Sequence, residues 1–164
     1  MSTIKQSVIV EANKQKVWEV LKDFGGVYRW HPKVETSPLH SANNEGIGAK
    51  RTCNFYDGTS VDEEVTAYKE GEYMEIILTN FSMPLKRATA RVEIKELSTR
   101  RIQVDLQMSF DVKYGPVGWV MDKVMMKPMM GKMFKQVLSG LRYHINSGEL
   151  VEKDGVNIPK AAFA

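Results

Sequence analysis

The chain opens on alternation. From Thr3 to Glu11, Ile4, Val8 and Val10 fall on one side of an extended backbone, which predicts a strand. The period then lengthens. Val17, Leu21 and Phe24 recur at i, i+4 and i+7, with Trp18 and Val20 beside them, and this predicts an amphipathic helix of about three turns. Asn13 stands where an N-cap belongs, and Gly25-Gly26 stand where the helix stops. Val27 to His31 reads as a short second helix, cut off by Pro32.

From Val34 to Asp111 the period returns to two. Turn signals recur at Asn43–Gly46, Asp57-Gly58, Lys69–Gly71, Ser82–Pro84 and Ser98–Arg100. They separate six runs rich in Val, Ile, Thr, Tyr and Phe, so the chain predicts seven strands in all, paired antiparallel through short turns. One face is dry: Ala88, Ala90, Val92 and Ile94 share a side, as do Ile102, Val104, Leu106, Met108, Phe110 and Val112. The cover for that face comes last. Val117 to about Ser147 reads as a helix interrupted at Pro128, with Met130, Phe134, Val137, Leu138, Leu141 and Ile145 on one stripe. Asn146-Ser147-Gly148 ends it. Residues 1–148 thus form a single domain, and the aperiodic stretch 149–164 reads as a loosely ordered tail. The fold class is α+β: a curved seven-stranded antiparallel sheet around a long C-terminal helix, with two short helices after the first strand.

Composition narrows the function classes. The 164 residues carry 23 basic and 20 acidic side chains, scattered together, with no run of five Lys/Arg. This is a mixed solvated surface rather than a nucleic-acid footprint. No stretch of 18 apolar residues exists to span a membrane, so no stable membrane insertion is expected. The single thiol, Cys53, excludes an internal disulfide. With no leader pattern at the start, the expected setting is cytoplasmic. His31, His40 and His144 have no metal-ligand spacing, so neither a metal nor a cofactor is expected. Gly46-Ile47-Gly48 runs on into Arg51 and lacks the third glycine of a dinucleotide fingerprint. P-loop, nucleophile-elbow and zincin motifs are also missing.

An ordered set of short motifs carries a family resemblance. Val17-Trp18-Glu19-Val20-Leu21-Lys22-Asp23-Phe24 precedes Trp30-His31-Pro32. Gly46-Ile47-Gly48-Ala49-Lys50-Arg51 leads to Asp57-Gly58 and Glu63, and Met83-Pro84-Leu85 follows. Gly115-Pro116-Val117-Gly118-Trp119 opens the last helix, which contains Asp122, Pro128 and Gly140-Leu141. Over residues 3–148 this resembles the helix-grip superfamily, which includes START lipid-transfer domains, pollen-allergen and plant hormone-receptor proteins, and polyketide cyclases. The nearest resemblance is to the bacterial polyketide cyclase/dehydrase and lipid-transport group. It implies a cavity between sheet and long helix, whereas periodicity alone establishes only an apolar face.

On that basis the cavity candidates are Arg51, Cys53, Phe55, Glu63, Val65, Ala88, Ala90, Leu106, Met108, Phe110, Met121, Met125, Met130 and Phe134. Two sequence features fit a cavity. Ala88 and Ala90 are small where a filled core wants bulk, and six of the ten Met fall between Met121 and Met133. Met filling an irregular kinked-helix contact is the plainer alternative. Glu63 shares parity with Val61, Val65 and Ala67, so alternation turns a carboxylate inward, where it needs a partner. Arg51, in phase with Cys53 and Phe55 across the Asp57-Gly58 hairpin, is the expected partner, either as a ligand-facing pair or as a structural one. In related hormone receptors the matching glutamate touches ligand, which the resemblance extends to Glu63. Glu63 and His31 are the candidate proton-transfer groups, and Tyr28, Glu35 and Tyr114 are weaker wall or mouth residues. The turns holding Gly58 and Thr59, and Met83 and Pro84, lie at equivalent hairpin ends and are candidate gates. Three functions follow as expectations: a binder of a small or medium hydrophobic molecule (lipid, isoprenoid, polyketide or aromatic), a cyclase/dehydratase, or an interaction domain using the Met-rich helix.

Overall fold

The computed structural model describes residues 1–163. Seven strands form one antiparallel sheet: β1 (Ser2–Val10), β2 (Val34–Thr36), β3 (Lys50–Phe55), β4 (Ser60–Lys69), β5 (Tyr73–Thr79), β6 (Leu85–Ser98) and β7 (Arg101–Val112). Their order is β1-β7-β6-β5-β4-β3-β2. Helix α1 (Lys14–Lys22) and a 3-10 turn (Phe24–Arg29) follow β1. Asn13 caps α1, its side chain accepting the Lys16 N–H at 2.8 Å. The second helix starts three residues and ends two residues earlier than the sequence predicts and has 3-10 geometry. The strand predicted from Val34 shrinks to three residues, because Pro38 supplies no ladder N–H.

The C-terminal helix is a rod in three parts: α2 (Gly115–Met121), a π turn (Asp122–Met126) and α3 (Lys127–Ser147). Pro128 brings no N–H to the ladder. The π turn absorbs the defect just ahead of it, with the Lys127 N–H reaching Asp122 O. The helix ends on Gly148, whose φ of 74° is left-handed. Gly140 fixes where the rod sits, since any Cβ there would collide with the Trp30 carbonyl oxygen.

The dry face packs as two main clusters along the rod. At one end Leu138, Leu141 and Ile145 of α3 meet Val10, Ile102, Val104 and the Val17, Trp18 and Leu21 face of α1. At the other end Met126, Met130 and Phe134 meet Ile4, Leu85, Ala88, Met108 and Phe110. A third, smaller cluster of Val27, Val34, Cys53 and Val61 lies under the 3-10 turn. Each fully buried side chain of this size contributes roughly 1.5–3 kcal/mol.

Three departures from simple alternation matter. A bulge at Val65/Ala67 shifts β4, so Tyr68, not Ala67, turns inward to meet the Trp18 ring at 5.6 Å. On the outer face Asp105 is 2% exposed rather than solvated. It accepts from Ser7 and Gln103, and Lys5 and Lys95 approach it at 3.0 and 3.1 Å. The segment after Gly148 is not a loose tail over residues 149–158. Val151 and Ile158 are buried, the Val151 N–H donates to Arg29 O, the Asp154 N–H donates to Pro32 O, and Lys33 pairs with Asp154. Two apolar side chains spaced seven apart suffice to anchor such a segment without helical or strand periodicity.

Candidate ligand site between sheet and helix

The two main clusters do not fuse. Between them the inner face carries a diagonal band of half-buried residues: Gln6 on β1, Leu106 on β7, Ala90 on β6, Leu78 on β5 and Glu63 on β4. Register makes the band continuous, pairing Gln6 with Leu106 and Leu78 with Glu63, while Ala90 sits diagonally between Leu106 and Leu78. Leu78 packs against all three clusters and Leu106 against the two main ones, yet solvent reaches both. Across the band lies Gly131 of α3, where a Cβ would come within 3.6 Å of Gln6 Nε2. Ala90 on the sheet and Gly131 on the helix are both small, so neither adds side-chain bulk to the band.

One end of the band is polar. Arg51 and Glu63 are register partners on β3 and β4. Arg51 Nε donates to Glu63 Oε2 at 2.7 Å, Nη2 pairs with the same oxygen, and Nη1 donates to Phe24 O at 2.6 Å. The guanidinium also lies 3.8 Å from the centre of the Phe24 ring. Burial opposes its charge, but Glu63 and Cys53 together hold the arginine above its ordinary range. Cys53 Sγ points to the same Oε2 at 3.6 Å. Burial and the adjacent carboxylate push the thiol up to about 12, so it is a neutral weak donor and no nucleophile. Glu63 Oε1 has no protein partner among the described residues.

His31 joins this corner through Phe55, whose ring is 6.1 Å away edge-on. Burial, then the Arg51 charge, pull its pKa down to about 3, so the imidazole is neutral. Its Nδ1 accepts the Lys33 N–H at 3.1 Å, which leaves the ring proton on Nε2, with no protein acceptor among the described residues. Trp30 Nε1 is buried and equally unpartnered. Two donors and one carboxylate oxygen in this part of the molecule thus have no protein partner among the described residues.

The structure brings most of the sequence candidates onto one face. Arg51, Cys53, Val65, Ala88, Met108, Phe110, Met130 and Phe134 are buried, and Phe55, Glu63, Ala90, Leu106 and Met121 are half-buried. Met125 is a correction: it is 65% exposed, because the π turn changes the helical phase and gives Met126 the inward position instead. Gln6 was missed, although its parity with Ile4 and Val8 carries the signal. The turn holding Gly58 and Thr59 is tied by Thr59 N and Oγ1 to Asp57 Oδ1, while Met83 and Pro84 are half-buried beside the distal cluster. Tyr28 and Glu35 instead line an outer cleft of about 670 Å³ with Arg29, Leu39 and Asn44, and Tyr114 is exposed. A second outer cleft of about 360 Å³ lies along Lys14, Trp18, Lys22 and Glu70. Both clefts are edged by charged side chains and stand wide to solvent, so neither encloses an apolar molecule. Among the described residues no group of three His, Cys, Asp or Glu is placed to hold a metal.

A family profile described as polyketide cyclase/dehydrase and lipid transport matches residues 1–145. The chain belongs to this family. Solved structures similar to the chain share its fold. A Thermobifida fusca protein is 25% identical, with a TM-score of 0.71 over 89% of this chain and 94% of that one. A START superfamily protein from Mycobacterium smegmatis is 14% identical, with a TM-score of 0.71 over 88% and 97%. A norcoclaurine synthase from Thalictrum is 10% identical, with a TM-score of 0.69 over 90% and 95%. No curated protein matches the chain in sequence.

Proposed function

We propose that the chain binds a small or medium hydrophobic molecule along the band between sheet and helix, with the polar end of that molecule toward Glu63, Arg51 and His31. The observation that carries this reading is the half-buried band itself: a core with no occupant would be expected to close over Leu78 and Leu106. Apolar contact supplies affinity at roughly 25 cal/mol per Å² buried. Glu63 Oε1 and the His31 Nε2–H then fix orientation, as a few convergent polar groups do in such sites. Gln6 provides a second polar contact at the opposite end. A cytoplasmic setting is part of the reading, since the one thiol, Cys53, is buried and unpaired. The test is native mass spectrometry of freshly purified protein, with extraction of anything bound, followed by thermal shift with fatty acids, isoprenoids and flavonoids. A bound apolar species, or a rise in Tm abolished by Ala90→Leu in the band, is expected. No bound species and no rise with any class would overturn it.

The cyclase/dehydratase reading is second, favoured by the neutral imidazole set near the Arg51–Glu63 ion pair. There the cavity holds a folded polyketide-like chain, and His31 gives or takes the proton at the reacting carbonyl. Its signature is product formation lost in His31→Gln while ligand affinity is kept.

A further inference from the structure

Folding does not account for the outward side of the first half of the C-terminal helix. Val117, Trp119, Val120, Val124, Met125 and Met129 are between 53% and 74% exposed. The segment around them is also basic. Lys86, Arg87, Lys113, Lys123, Lys127 and Lys132 have no ion-pair partner among the described residues. Elsewhere Lys5, Lys22, Lys33, Lys50, Lys69 and Lys95 are paired with carboxylates, whereas Lys14, Lys16, Arg100 and Arg101 are not among the described residues, so what sets this end apart is the lack of exposed acids beside its cations. From Lys113 to Lys135 the only acid is Asp122, which is 3% exposed and taken by the Ser2 hydroxyl. Lys123 Nζ rests 4.2 Å from the centre of the Trp119 ring. The Lys113 N–H donates to Pro84 O at 2.8 Å, which brings the basic start of β6 to the same end of the molecule.

We infer that this end of the molecule docks reversibly on an anionic lipid surface. An apolar helix side with a tryptophan and a surround of unpaired lysines matches the boundary between acyl chains and negative headgroups. Charge selects this occupant over a second copy of the chain. A two-fold contact sets the same patch against itself, and here it would oppose unpaired cations across an apolar seam. The docking lies on the surface and does not span, since no described helix is long and apolar enough to cross a membrane. It does not depend on what the interior holds, so its failure and that of the ligand reading are separate.

The test is co-sedimentation with sucrose-loaded vesicles of phosphatidylcholine alone, or with about 30% phosphatidylglycerol. At low salt the partition onto the anionic vesicles is expected to be at least about tenfold stronger, and to fall at about 0.5 M salt. Trp emission shifts to the blue on binding, and Trp119→Phe removes that shift. Lys123→Glu with Lys127→Glu weakens binding by about tenfold or more. Val124→Asp with Met125→Asp does the same with Tm unchanged, because both side chains are more than half exposed. No binding to anionic vesicles at low salt overturns the inference, as does binding that neither double variant weakens. So does a dimer, in sedimentation velocity, that Val124→Asp with Met125→Asp dissociates while vesicles are ignored.

Discussion

From Met130 onward, the C-terminal helix is apolar inward and polar outward. Leu138, Leu141 and Ile145 are buried, and Lys135, Tyr143, His144, Asn146 and Ser147 stand on the other sides. Ahead of Met130 the same helix is apolar on both sides, with Met126 buried and Val124, Met125 and Met129 exposed. The second half is an ordinary lid on a core, described fully by burial. The first half has a surface that burial does not explain, and the inner band with its polar corner lies where the two packing regimes meet. Features that stability leaves unexplained thus lie along the first half of the rod and where it meets the second.

The strongest way to break this division is through the polar corner. Glu63→Ala leaves the Arg51 guanidinium buried without its carboxylate, at a cost of about 3–5 kcal/mol. Chemical denaturation measures it. If the pair serves only packing, Arg51→Met combined with Glu63→Leu should restore stability and leave ligand binding intact. If it orients a ligand, stability returns and binding does not. Leu141→Ala probes the lid half. Leu141 is 1% exposed, and truncation is expected to cost about 2–5 kcal/mol by the same assay without touching the corner.

His31 supplies a pH test of intermediate size. Its folded pKa, near 3, lies below the ordinary histidine value of 6.5. Between these values the unfolded chain binds the extra proton and the native state does not. The stabilisation is therefore complete above about pH 6.5 and drains away as pH falls toward 3. A loss of about 2 kcal/mol between pH 6 and pH 4 is expected, and His31→Gln should flatten that limb. Asp105 acts lower on the scale. Burial alone would raise it, but Ser7, Gln103, Lys5 and Lys95 together hold its carboxyl well below the usual range. Its contribution is present above about pH 4 and is lost only in stronger acid, so Asp105→Asn should leave the His31 limb unchanged.

Most of the architecture was legible because period-two and period-3.6 patterns are local signals. The inward set Ile102, Val104, Leu106, Met108 and Phe110 follows alternation alone, and so does the Arg51–Glu63 register. Three things were not legible. The β4 bulge and the π turn each insert a one-residue phase change, which moved Ala67 and Met125 off the faces that periodicity assigns them. The docking of residues 149–158 rests on two side chains and a few backbone hydrogen bonds, too sparse to form a period. The burial of Asp105 needs Lys5, Lys95, Ser7 and Gln103 gathered from three strands, which only the sheet order reveals. In the site, parity pointed to Glu63 but passed over Gln6, a polar residue of the same phase on a strand read only for its apolar positions.

The smallest expected effect makes the sharpest contrast between the two helix halves. Val124→Ala and Met129→Ala remove apolar side chains as large as those of the lid, yet both positions are more than half exposed. Little area is returned to water, so each should change stability by no more than about 0.5 kcal/mol. A loss of 2 kcal/mol or more at either position, the size expected of a buried Leu, would mean that these side chains are covered in solution. The division of the helix would then fail, and the exposed half would have to be treated as an unrecognised part of the core. A null result in stability, joined to a loss of vesicle binding in Val124→Asp with Met125→Asp, would separate what these residues do for folding from what they do at a surface.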